Sequence, residues 1–354
     1  MTTSILVTGG FGYVGSRLVP HLLELGHRVR VLDLVLYGDH GLRALERNPA
    51  WPEWRGRFEL VRGDIRDPAA VVAAMRGIEV VIHLAAISND PTGNIDEVLT
   101  RQVNFDAVGL LLALARRGGV RRFVNGSSSS VFGIKHETNV IERLEPEPLT
   151  AYSRMKMLSE WLVIAASSSD FCTVNIRPAT ICGWSPRQRF DLTVNKLTAD
   201  AIRKRVITVH GGEQRRPNIS MLDAINLYGL LVDMDAARIN GRTFNFGFEN
   251  HKVIEIARLI QEQLSDLDVR LEVQDVVDKR DYHIASTSLS ETLGYRPKGS
   301  IAHAVAELRE HLLERKEFPD PEAIEHHNMR SMKLARCDLP YAFLADPAGC
   351  VPQG

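Results

Sequence analysis

Short runs of Val, Ile and Leu recur along the first half of the chain, and each gives way to residues with helical spacing. The runs are Ser4–Val7, Val29–Leu32, Phe58–Val61, Val80–Leu84, Arg122–Asn125 and Thr173–Arg177. Between them the apolar periodicity predicts helices over about 13–25, from Pro68, over a long stretch ending near Arg117 that contains Asn104, and over about 151–167. Pro68 is compatible with a first helical turn, where its missing N–H costs nothing. Apolar strands separated by helices predict right-handed crossovers and a doubly wound parallel sheet, an α/β fold class. After Arg177 the strict alternation stops. A strand at Thr243–Phe246 is expected to return to the main sheet, so residues 1–180 and about 221–250 form the larger domain. Residues 181–220 and 251–317 then form a smaller, discontinuous α/β domain. The tail, 318–354, is expected to be an irregular extension with His326 and His327 in solvent.

The first strand ends in three glycines spaced three apart, Gly9, Gly12 and Gly15, in Thr8-Gly9-Gly10-Phe11-Gly12-Tyr13-Val14-Gly15. In such a turn one glycine permits the bend, one admits backbone amides to a pyrophosphate, and one lets the helix pack closely on the strand. The helix start adds unpaired N–H groups and partial positive charge. The second strand ends at Asp33, an acid placed to accept bonds from both adenosine ribose hydroxyls and to repel a 2′-phosphate. NAD is therefore expected in preference to NADP, although Arg30 could soften that choice.

Composition narrows the partners. The net charge of -1, with 44% hydrophobic and 25% charged residues, gives no reason to expect nucleic acid or an anionic membrane. No apolar run approaches the roughly 18–20 residues that span a bilayer, and no basic segment with an apolar core opens the chain, so the cytoplasm is expected. The four cysteines (Cys172, Cys182, Cys337, Cys350) lack metal-ligand spacing, and no metal is expected.

Tyr152 and Lys156 lie four apart at the start of a predicted helix, on one face. A nearby ammonium favours the phenolate and lets tyrosine exchange a proton near neutral pH. The serine run Ser127–Ser130, continuing into Val131-Phe132-Gly133 at the end of the fifth strand, offers a hydroxyl to hold the same substrate oxygen.

In this order, the glycine turn, Asp33, Gly63-Asp64-Ile65, His83-Leu84-Ala85-Ala86, Asn104, the serine run, Tyr152 with Lys156, and Arg177-Pro178 resemble the extended short-chain dehydrogenase/reductase family, particularly its nucleotide-sugar epimerases and dehydratases. The resemblance runs from about Ser4 to Pro297. It implies a Rossmann-type domain with NAD held by Gly9, Gly12, Tyr13, Val14, Gly15, Asp33, Asp64, Ile65, Leu84, Ala85, Ala86, Asn104, Tyr152, Lys156 and Arg177. It also implies Ser128, five before Gly133, as the active-site hydroxyl beside Tyr152 and Lys156. A nucleotide-diphosphate sugar would contact Ser88, Ser129, Thr150, Thr180, Asn195, Arg216 and Arg280, with the two arginines facing phosphates. Thr180 stands where many members carry Asn, and Ser220 where many carry His. A homodimer through helices near 94–118 and 151–169 is common in the family.

Family dehydratases and sugar-acid decarboxylases usually carry an acid one or two positions after the active-site Ser or Thr; here those positions are Ser129 and Ser130. A C4 epimerase needs only reversible hydride transfer, a tyrosine base and room for a 4-keto sugar to turn. The alternatives are a keto-sugar reductase, a decarboxylase, a 4,6-dehydratase, an epimerase at another carbon and, in a different class, a non-catalytic dinucleotide sensor.

Overall fold

The structure is a computed structural model that describes residues 2–135, 137, 139–275, 283–318 and 320–335. In chain order its strands are β1 (Ser4–Thr8), β2 (Arg28–Asp33), β3 (Phe58–Arg62), β4 (Val80–His83), β5 (Arg122–Gly126), β6 (Cys172–Pro178), β7 (Thr180–Cys182), β8 (Val206–His210), β9 (Arg215–Ser220), β10 (Arg242–Phe246), β11 (Glu249–Lys252) and β12 (Arg270–Gln274). Seven of them form one parallel sheet in the order β10-β6-β5-β4-β1-β2-β3. Ile5 pairs with Val29 on one side and Val80 on the other, so the strand order reverses beside β1. Helices cover both faces, which is why Ile5, Leu6 and Val7 are all fully buried instead of alternating. The expected return strand is β10, parallel to β6.

The long predicted helix is interrupted. It starts as short segments at Asp90–Gly93 and Glu97–Arg101, widens into a π turn at Gln102–Asp106, and continues over Ala107–Arg117. The stretch Glu97–Arg117 is long and apolar enough to cross a membrane by length and composition, contrary to the sequence expectation. Its buried Leu99, Val108, Leu111 and Ala115 spend much of that apolarity inside the protein.

The smaller unit has a three-stranded sheet, β11-β9-β7, and the parallel pair β8–β12. Helices Thr193–Lys204, Val253–Gln263 and Ile301–Arg309 close its separate core around Val194, Ile256, Ile260 and Leu308. Ile284, Leu289, Leu293 and Tyr295 were expected there, yet they pack into the core of the large sheet.

The described part of the tail is partly helical, and its two histidines are not in solvent. His326 and His327 are only 6% and 9% exposed, and a helix follows at Asn328–Ala335. Phe190 presents its ring to Phe318 and His326 edge-on, at 5.6 and 5.5 Å between centroids. Burial among these rings pulls His326 down to about 4, so it is neutral at physiological pH.

Candidate active site

A cavity of about 350 Å³ opens at the carboxyl ends of β1, β4 and β5, beside the reversal of strand order. Ligands of doubly wound sheets sit at this place. Gly9, Gly12, Tyr13, Val14 and Gly15 form one wall. Gly9 has φ +70, and a Cβ there would come within 2.7 Å of the Ala85 backbone; one on Gly15 would lie 2.5 Å from the Gly9 carbonyl. Only glycine fits either position, and the cradle is shaped for close backbone approach. Thr8 Oγ1 and His83 Nδ1 share a 2.7 Å hydrogen bond that ties β1 to β4 below the turn. Burial pulls His83 down to about 3 and keeps it neutral.

Asp33 accepts from the Phe11 N–H at 2.8 Å and the Val35 N–H at 2.7 Å. Burial pushes its carboxyl up, and these two donors oppose that shift. Val35 holds φ +57, a strained value for a β-branched residue, so the loop after β2 is tightly specified. Asp64 and Ile65 line the same end, where Arg66 clasps the Asp64 carboxylate at 2.6 Å. Leu84, Ala85 and Ala86 line the wall between. Arg30 does not border the cavity; it is bound by Glu59 at 2.7 Å and by the Ala74 and Arg76 carbonyls. A glycine cradle beside a half-buried carboxylate at the end of β2 fits a dinucleotide.

At the other end stand Ser128, Tyr152 and Lys156. Thr150 caps the helix Ala151–Ala165 through a reciprocal pair of bonds with Ser153, which places Tyr152 in the first turn. Lys156 Nζ donates to the Gly126 carbonyl at 2.7 Å, fixing the ammonium at the end of β5. Burial pulls Lys156 down to about 8, while Glu160 opposes the shift. Ser128 is extended and caps the turn Ser129–Phe132; its Oγ lies 2.9 Å from Ser130 Oγ.

Lys156 has a measurable signature in folding. Its native value lies below the ordinary 10.5, so between about pH 8 and 10.5 the unfolded chain binds a proton that the native state has released. Stability therefore rises with pH across that window, and below it the burial cost is fully present. In urea unfolding of ligand-free protein, wild type should gain about 3 kcal/mol relative to Lys156→Met over this range. Parallel curves for the two proteins would show that Lys156 is not desolvated.

Several expected contacts are spent elsewhere. Asn104 sits in the π turn, and both ends of its amide bond the Ile87 backbone at 2.9 Å; it shapes the wall without lining it. Arg177 is not at the cavity. Its guanidinium grips Glu160 at 2.7 and 2.8 Å and lies over Phe132, while Ser127 also donates to Glu160. The Thr150 hydroxyl donates to Asp90 at 2.6 Å. Asn195 is buried between the Gly183 N–H, the Tyr13 hydroxyl and the Arg189 carbonyl. Arg216 lies on β9 outside the lining, with one donor on the Arg215 carbonyl. Arg280 falls outside the described residues. Ser88, Ser129 and Thr180 do line the cavity.

Sequence reasoning missed Tyr37, Asp90, Arg187, Asn328 and Met332, all on the lining. Arg189 opened a segment singled out for its family resemblance, but its place on the lining was not foreseen; it pairs with Asp191 at 2.9 Å. Asn89 carries a visible sign of a specified loop, φ +77 with ψ 155, a region disfavoured for any side chain. Asn328 and Met332 had no sequence signal, because their placement depends on the tail docking on Phe190.

Comparison with known proteins agrees with this geometry. Residues 5–247 match the model of the NAD dependent epimerase/dehydratase family. A 3 beta-hydroxysteroid dehydrogenase/Delta 5-->4-isomerase of Mycobacterium tuberculosis is 34% identical over 60% of this chain; the chain spans about half (55%) of that relative. An uncharacterized UDP-glucose epimerase, YtcB, of Bacillus subtilis is 29% identical over 73% of this chain and 81% of its own. Among solved structures, UDP-glucuronic acid 4-epimerase from Bacillus cereus, in complex with UDP-glucuronic acid and NAD, superposes with TM-score 0.77 at 24% identity. That match covers 88% of this chain and 100% of the other. With the glycine cradle, Asp33 and the Ser128, Tyr152 and Lys156 corner around one cavity, the chain belongs to the NAD dependent epimerase/dehydratase family.

Proposed function

We propose that the enzyme is a nucleotide-sugar epimerase acting at C4 through a transient 4-keto sugar. The observation that carries this reading is one cavity bordered by the glycine turn, Ser128, Tyr152 and Lys156, in which hydroxyls, not carboxylates, follow Ser128. Tyr152 takes the proton from the sugar O4, its phenolate favoured by the Lys156 ammonium. Ser128 donates to the same oxygen and holds it in place. The glycine turn and Asp33 would hold NAD, whose nicotinamide would supply a reversible hydride acceptor at C4. Once the keto sugar has turned, Tyr152 gives the proton back to O4. The named UDP-sugar enzymes among the relatives support the substrate class.

Two tests follow. Denatured protein should release near-stoichiometric NAD(H), because a cofactor that ends each cycle as it began need not leave. A panel of uridine and thymidine diphosphate sugars should then show interconversion at C4 by proton NMR without net change in NADH. No C4 inversion in any member would remove the proposal. A second reading, net oxidation of a secondary alcohol such as a hydroxysteroid, is favoured by the 34% identity to the steroid dehydrogenase. Stoichiometric NADH formation with such an alcohol would establish it instead. We place a homodimer contact on the helix Ala151–Ala165, where Trp161 and Ile164 are exposed.

A further inference from the structure

Arg187 is 2% exposed, lines the cavity, and forms no ion pair with a carboxylate among the described residues, although Asp33 and Asp191 lie near enough to attract it. One of its terminal nitrogens donates to Asn328 Oδ1 at 2.5 Å, its plane stacks on Tyr37 at 3.9 Å, and its Nε has no partner among the described residues. The neighbouring acids are occupied: Asp33 by two backbone amides, and Asp191 by Arg189. A cation removed from water without a hydrogen-bonded anion is strongly disfavoured. Burial accordingly pulls Arg187 down to about 10. The native site is complete only when something negative and rich in acceptors meets the open edge of the guanidinium.

The chain around Arg187 says where that anion lies. Tyr13, inside the glycine turn, donates from its hydroxyl to the Gly183 carbonyl at 2.8 Å, and Ser185 Oγ donates to the Tyr13 carbonyl at 2.7 Å. The loop 183–188 is therefore laced to the turn whose backbone approaches phosphates, and Tyr37 follows Asp33 on the same side. We propose that Arg187, positioned by Asn328 of the C-terminal segment, is a diphosphate ligand of this cavity, and that the diphosphate is that of the bound dinucleotide. A nucleotide-sugar diphosphate shares the chemistry, but the bond from Ser185 to Tyr13 and the bond from Tyr13 to Gly183 tie the loop that carries Arg187 to the dinucleotide turn. Asn328 brings the described tail helix into the same contact, with Met332 of that helix also on the lining. The inference rests on a dinucleotide occupying the cavity, not on which sugar carbon reacts.

The experiment is direct titration of NADH, ADP-ribose, NADPH and UDP into full-length protein stripped of dinucleotide, for wild type, Arg187→Met, Arg187→Lys and Asn328→Ala. Arg187→Met should weaken NADH and ADP-ribose about tenfold to a hundredfold, the range of charged hydrogen bonds. UDP affinity should stay within about twofold. Arg187→Lys should fall between, since it keeps the charge and loses the fork, and Asn328→Ala should weaken the same two ligands to a smaller extent. The unfolding midpoint of ligand-free Arg187→Met should equal or exceed that of wild type, whereas a purely structural arginine would lower it. Weakening confined to UDP would reassign the anion to the substrate, and weakening confined to NADPH would reassign it to a 2′-phosphate; either overturns the proposal. Unchanged affinities overturn it too. If Arg187→Met does not fold, Arg187→Lys and Asn328→Ala carry the same comparison. Wild type that binds no NADH would instead remove the cofactor reading beneath it.

Discussion

Tyr152→Phe should leave the protein folded and able to bind NADH while lowering turnover by about a hundredfold to ten-thousandfold, the range of a positioned acid–base group. The substitution removes one oxygen from a residue that is 8% exposed and held by its helix backbone. Asp33 is held by the Phe11 and Val35 amides, and the glycine turn by backbone bonds to Leu32 and within itself. A loss in kcat with little change in dinucleotide affinity would place Tyr152 on the proton path. Near-normal turnover would require another base, and Asp90, on the same lining and bonded to Thr150, would be the residue to examine. A Tyr152→Phe enzyme that lost NADH affinity in parallel would mean that the phenol is a binding group.

Arg177→Met should lower unfolding free energy by about 3–5 kcal/mol, the cost of breaking a buried ion pair. Glu160 is 1% exposed and holds both Arg177 and the Ser127 hydroxyl. Without the guanidinium a carboxylate is left buried one helical turn beyond Lys156, and its charge then acts directly on that lysine. Replacing both partners by apolar residues, Arg177→Met with Glu160→Leu, should recover most of the loss, because the desolvation cost disappears with the charges. Urea unfolding of the two single variants and the double variant gives the coupling. A change below about 1 kcal/mol in Arg177→Met would show that the pair is solvated. The same series tests the reassignment of Arg177: the folded double variant should retain NADH affinity if this arginine supports the strand ends without meeting the cofactor.

The difference between Arg177 as expected and as found illustrates what a sequence motif carries. Position in the chain places Arg177 correctly at the end of β6, but the strand end does not say whether a side chain turns toward the ligand or behind the sheet. Glu160, on the helix that precedes β6, decides that by offering a buried carboxylate at 2.7 Å. Asn104 is a parallel case. Its helical position was legible, while the π turn that brings its amide to Ile87 came from packing. Asp33, Gly9 and Gly15 were legible to the level of role, because their demands are local. A φ of +70, a Cβ clash at 2.5 Å and two amides within reach of a carboxylate involve neighbours in the chain or adjacent strands.

By itself the sequence determined the parallel sheet, the glycine cradle, Asp33 at the end of β2 and the spacing that puts Tyr152 and Lys156 on one helix face. Each follows from periodicity or from a short segment whose geometry its own residues impose. Tertiary structure alone decided that His326 is buried against Phe190, that Asn328 and Met332 reach the cavity more than a hundred residues after the elements they meet, and that Arg187 lies beside Tyr37 with its Nε unpaired. These are contacts between distant parts of the chain, fixed by how apolar faces and buried charges find partners once the sheet exists. No spacing within either segment encodes them.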